Sequence, residues 1–265
     1  MRRPIALLLA ACVALAACGD GGGDEAADPT TTTEAAPALR LNQVQVVGSH
    51  NSYHLRPDPA VLEGIAAFAG EQAARELDYE HLPLTEQLDE HGIRQLEIDV
   101  YADPDGGRFA QRPLAALVGL PTESGEPDLD RPGFKVLHQV DVDFGSTCLT
   151  FVACLSEVEA WSSQNPDHVP VMVMVETKQQ SLSEATGGSV DALGVDLTEV
   201  LIFDRSTFDA LEAEILAVFD RDRIITPDDV RGEAATLEEA VLAGDAWPTL
   251  DDAAGKVLFS LVDTG

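Results

Sequence analysis

Six side chains able to do polar chemistry stand at the ends of apolar runs in this chain: His50, Asn51, Glu97, Asp99, His138 and Glu176. His50 and Asn51 follow Val44, Val46 and Val47 across a Gly48-Ser49 break, so a strand delivers them to a loop. Glu97 and Asp99 lie in the alternating stretch 95–101. There Leu96, Ile98 and Val100 take one face, and the two carboxylates take the other with Tyr101. His138 closes a short strand at 135–138, and Glu176 closes the apolar run 169–175. Histidine moves protons near neutral pH. Three carboxylates and an amide oxygen are hard donors suited to Ca²⁺ and less to Mg²⁺. Brought together, these groups suit metal-assisted cleavage of a phosphodiester. Taken singly, they also have plainer readings. Glu97 and Asp99 describe the solvated face of an edge strand, His138 a core histidine, and His50-Asn51 a surface loop. Glu176 is harder to dismiss, because a carboxylate ending a buried run needs a partner. His54, His81, His91 and His168 sit in polar or helical contexts and receive no role. Lys178, just beyond Glu176, is placed to face an anionic phosphate.

The elements that must position these residues alternate in type. Strands are expected near 44–49, 95–101, 135–138, 169–175, 223–226 and 256–262. Helices are expected at 59–77, 84–91, 155–165 and 208–220. Such βα repeats imply an α/β fold with a parallel sheet, whose strand C-termini converge on the face where active sites form. The run 169–175 has the composition of a strand buried on both faces. Residues 102–133 and 181–198, rich in Pro, Gly and polar residues, read as excursions. Six strands are two short of a TIM-type barrel. A doubly wound sheet fits six strands, but no Gly-rich phosphate loop follows the first.

The chain has 265 residues and a net charge of −31, from 47 acids and 16 bases. That excludes a nucleic-acid partner, which needs clustered Lys and Arg, and gives no pull toward anionic lipid. Arg2 and Arg3 precede an apolar run at 5–17 that is too short to span a bilayer, so residues 1–17 read as a signal peptide. Leu15-Ala16-Ala17-Cys18 resembles a bacterial lipobox, with Cys18 as the lipidated first residue and the membrane surface as its partner; an ordinary secretory signal is the alternative. Either way the protein is exported. Residues 18–40 are Gly-, Thr- and acid-rich and read as a disordered tether before a catalytic domain at 41–265. In an exported protein, Cys148 and Cys154 read as a disulfide closing a short loop.

Ser49-His50-Asn51-Ser52-Tyr53, Leu96-Glu97-Ile98-Asp99, Leu137-His138 and Val175-Glu176, in that order, resemble the phosphoinositide-specific phospholipase C superfamily. The calcium-dependent bacterial branch is the most similar. The resemblance covers residues 41 to about 262 and implies a TIM-type barrel, a Ca²⁺ cofactor and a phosphoinositide substrate. It further implies Asn51, Glu97, Asp99 and Glu176 as calcium ligands. His50 would stabilise charge on the phosphoryl oxygens, and His138 would be the acid that protonates the departing diacylglycerol. The family's later strands, which contact the inositol, have no counterpart here, so the barrel is expected to be incomplete at its C-terminus. Glycerophosphodiester phosphodiesterases share the Glu-x-Asp strand and paired histidines but start on His-Arg, and a silent lipid- or inositol-binding lipoprotein is a further alternative.

Overall fold

The computed structural model describes residues 38–263; the expected signal peptide, Cys18 and most of the expected tether lie outside them. Leu39 and Arg40, assigned to the end of the tether, belong to the fold. The Leu250 amide donates to Leu39 O at 2.9 Å, and Arg40 bridges Thr249.

Five parallel strands form one sheet: β1 (Gly48–Ser49), β2 (Gln95–Val100), β3 (Val171–Thr177), β4 (Ile224–Ile225) and β5 (Val257–Asp263). Their order is β1-β2-β3-β5-β4, so β5 inserts between β3 and β4, and the sheet is open over the described residues. The helices are α1 (Pro59–Ala69), α2 (Glu71–Leu77), α3 (Leu84–Asp89), α4 (Phe151–Gln164), α5 (Leu182–Ala185), α6 (Arg205–Val218), α7 (Pro227–Arg231), α8 (Leu237–Ala243) and α9 (Leu250–Ala253). None of the described helices is long and apolar enough to cross a membrane.

Four expectations need correction. The strand expected at 44–49 shrinks to two residues, because Val46 and Val47 are exposed and only the Val47 carbonyl is bonded, by the Arg94 amide. No sheet strand forms at 135–138. Lys135 instead makes isolated antiparallel bridges to Tyr101 and Thr150, and its buried ammonium is held by Asp103 at 3.2 Å and by two backbone carbonyls. A charged side chain with those partners fixes the chain as a turn back onto β2, closing the 102–133 excursion. The helix expected at 59–77 breaks at Gly70, whose φ of 95° suits glycine best. Finally, β3 alternates: Val171, Val173, Val175 and Thr177 are buried, while Met172, Met174 and Glu176 are only half-buried.

That alternation defines the two faces of the sheet. Leu96, Ile98, Val100, Val173 and Val175 join Leu84, Leu88, Phe151, Leu155 and Val158 of α3 and α4 in the main core. Glu97, Asp99 and Glu176 therefore lie on the other face. Thr150 caps α4 by accepting from the Ala153 amide, just before the helix that covers the core. Cys148 and Cys154 are disulfide-bonded across this cap.

Candidate active site

The parallel register of β2 and β3 pairs Asp99 with Glu176 and Glu97 with Met174. Glu97, Asp99 and Glu176 thus converge at the C-terminal ends of neighbouring strands, each offering an oxygen within 4.8 Å of the others. Burial raises the Asp99 carboxyl's pKa; Lys178 opposes this and Glu176 adds to it. Glu97 is likewise raised by burial against the pull of His50. The Lys178 ammonium sits 2.9 Å from both Asp99 and Glu176. It thus bridges acids on two strands, a position not foreseen in placing it against phosphate. Burial lowers its pKa, but Asp99 and Glu176 outweigh that and raise it. Three carboxylates against one ammonium leave a negative, all-oxygen cluster, and that donor set fits a hard divalent cation such as Ca²⁺.

The loop carrying His50 and Asn51 is clipped onto β2 by two bonds: the Ser52 amide donates to Glu97 O, and Ser52 Oγ accepts from the Glu97 amide, both at 2.9 Å. Asn51 is buried with a positive φ of 47°, a conformation Asn tolerates better than most residues. Its amide nitrogen donates to the Tyr79 hydroxyl at 2.9 Å, which leaves Oδ1 as the atom able to serve a metal. His50 stays largely exposed, with Nε2 3.8 Å from Glu97 Oε1.

A second cluster faces the first. Asp143 Oδ2 lies 2.8 Å from His138 Nδ1 and 2.8 Å from His54 Nε2. Burial pushes the Asp143 carboxyl up, but hydrogen bonds from the two imidazoles prevail and hold it below the usual range. With Nδ1 engaged, His138 presents Nε2 as its working nitrogen, and its side chain keeps 24% exposure. His54 is fully buried and stacks on Tyr79 with 4.2 Å between ring centroids. The 139–143 turn is closed by reciprocal Gln139–Asp143 backbone bonds at 2.8 Å. At its apex Asp141, with φ of 69°, accepts from the Thr198 amide and hydroxyl. Tyr53 lies between the clusters: burial raises its hydroxyl's pKa first, and both Asp99 and Asp143 add to the effect.

The structure therefore gathers all six sequence-selected residues at one end of the sheet. Sequence reasoning missed His54, Tyr79 and Asp143. The available signal was thin: a second histidine four positions after His50, and an acid five positions after His138. His81 binds the His50 carbonyl and His168 binds Ser162, so both are structural.

A parallel α/β sheet with an acidic metal cradle and a paired-histidine set at its strand ends defines the class of metal-dependent phosphodiesterase sites. Residues 39–265 match the family described as phosphoinositide phospholipase C, Ca²⁺-dependent, and the chain belongs to that family. Similar solved structures include a calcium-dependent phosphoinositol-specific phospholipase C from a Gram-negative bacterium, Pseudomonas sp, as a myoinositol complex. It is 18% identical with a TM-score of 0.49, covering 86% of this chain and 59% of that one. Another is a Ca²⁺-dependent phosphatidylinositol-specific phospholipase C from Streptomyces antibioticus, 22% identical, TM-score 0.43, covering 82% and 51%. The chain spans little more than half the length of these proteins. No curated protein matches it.

Proposed function

We propose that this chain is a calcium-dependent phospholipase C cleaving phosphatidylinositol to diacylglycerol and a cyclic inositol phosphate. The observation that carries the reading is the meeting of the Glu97–Asp99–Glu176 cradle with the Asp143-anchored His138. Asn51, Glu97, Asp99 and Glu176 would hold Ca²⁺, which supplies Lewis acidity toward the phosphate and the attacking inositol hydroxyl. Glu97, whose carboxylate lies beside His50, takes the hydroxyl proton. The hydroxyl oxygen bonds to phosphorus, and the bond to the glycerol oxygen breaks. His138 Nε2 delivers the proton to that departing oxygen, while Asp143 holds Nδ1 and steadies the imidazolium. His50, exposed beside Glu97, meets the charge that builds on the phosphoryl oxygens.

The deciding assay measures release of diacylglycerol from phosphatidylinositol in calcium and in excess chelator. Calcium-dependent release is expected. Preferred hydrolysis of glycerophosphodiesters would move the chain to a different substrate class, and inositol-lipid binding without turnover would make it a silent binder. The proposal includes export and anchoring through Cys18, motivated by Leu15-Ala16-Ala17-Cys18. Cys18→Ala should shift precursor processing, and a soluble, unlipidated wild type in the native host would refute anchoring.

A further inference from the structure

A concave cavity of about 900 Å³ opens beside the histidine cluster, within the range of about 300–1,000 Å³ typical of small-molecule sites. Val61, Ile65 and Phe68 of α1 form one wall, and Leu117, Val118 and Leu193 stand among the others. Leu55, Gln139 and Val142, which follow His54 and His138 or precede Asp143, also line it, together with Gly145.

Two further observations describe what this cavity takes. First, α1 carries one charge, Glu63, in eleven residues, yet none of its residues is buried. Phe68 and Leu117 on the cavity are 45% and 54% exposed, so the apolar surface is continuous from rim to interior. Second, four of the five charges in the wall already have hydrogen-bond or ion-pair partners, and the fifth, Glu126, is exposed near Arg112. Arg56 pairs with Asp78, Asp58 caps the Ala60 amide, Arg112 binds the Ser124 carbonyl, and Asp141 binds Thr198. The cavity thus offers hydrocarbon contact along its length and reaches the residues that adjoin the leaving-group acid.

We propose that this cavity holds one acyl chain of the phospholipid whose phosphodiester lies at His138. The inference rests on the phospholipase reading for the identity of the lipid, and on the cavity itself for chain binding.

The primary test needs no catalysis. A polyene fatty acid, cis-parinaric acid, is titrated into the protein as a monomer without vesicles. One chain should bind per protein. A Cβ on Gly64 would stand 2.8 Å from Val118 Cγ1, so Gly64→Leu narrows the cavity where its walls approach. Ala67→Trp does so from an exposed position that places no demand on the core. Both should weaken binding at least tenfold, with Ala67→Trp melting like the wild type. No saturable binding, or equal binding by both variants, overturns the proposal, as does adsorption to phosphatidylcholine vesicles without any monomer binding. In a second arm, dihexanoyl phosphatidylinositol should be cleaved about tenfold more efficiently than the dibutanoyl form, since two further methylenes enter the cavity. Ala67→Trp should bring that ratio toward one. Fatty-acid binding with no turnover of either lipid would refute the phospholipase reading and leave chain binding standing.

Discussion

The two halves of the site are built by different means. Glu97, Asp99 and Glu176 are placed by a ladder in which β2 and β3 pair over six consecutive positions. His54, His138 and Asp143 stand on loops joined by isolated bridges, His54 to Ser146 and Gln139 to Asp143. A strand ladder fixes side-chain direction by its period alone, whereas the loop half depends on each local bond. The acid half should therefore tolerate single changes as losses of charge, and the histidine half should register them as losses of geometry.

The largest expected effect tests the histidine half. His138→Ala should lower turnover about 10²–10⁴-fold while leaving calcium binding intact by calorimetry. A substrate with a much better leaving group should recover most of that loss, because less proton donation is needed. His50→Ala should show no such recovery, and equal rescue of both variants would break the division of roles. On the acid half, Asp99→Asn keeps size and fold but removes a buried charge. Calcium at a hundredfold excess over its Kd should stabilise the wild type by about 2.7 kcal/mol, read as a rise in Tm, and the variant should lose most of that rise. If Asp99→Asn instead melts far below the wild type without calcium, the ladder does not carry the acid half.

The next contrast is covalent. Cys148 and Cys154 brace the turn into α4, on the histidine side. Replacing both by Ser should cost about 2–3 kcal/mol by chemical denaturation, as expected for so short a loop. It should also lower activity more than calcium affinity. The smallest effect sharpens the role of Asp143. Its carboxyl is depressed by the two imidazoles, so its contribution to stability is present above the unfolded pKa of about 3.9 and is lost as pH falls through the folded value. Asp143→Asn should cost about 1–3 kcal/mol at neutral pH, and the gap from wild type should close on acidification. A gap that widens in acid would mean the depressed carboxyl is not the source.

The same contrast explains how much could be read from sequence. Glu97 and Asp99 were legible because strict alternation with Leu96, Ile98 and Val100 admits one arrangement, and Glu176 because it ends an apolar run. Asp143 was not, since its value lies in a tight turn with Asp141 at positive φ, and turn geometry leaves no periodic trace. Lys135 misled for a related reason. Lys135-Val136-Leu137 has strand composition, but a buried ammonium seeking Asp103 and two carbonyls decided the local path. In the same way Val46 and Val47 carry β propensity but share a single bond with the neighbouring chain, from the Arg94 amide to the Val47 carbonyl, and propensity with so little pairing does not extend a strand.

The strand order has a consequence for how the molecule is assembled. Among the described residues β4 pairs only with β5, and β3 gains its second neighbour only when β5 arrives. As the chain emerges during synthesis, β1, β2 and β3 can pair, but Ile224 and Ile225 must wait for Val257 and Leu258, some thirty positions later. The strand bearing Glu176 is thus an open edge until late, with Met172 and Met174 on its half-buried face. Insertion of β5 both closes that edge and completes the setting of the acidic cluster. Competence of the site therefore follows, and cannot precede, the arrival of β5.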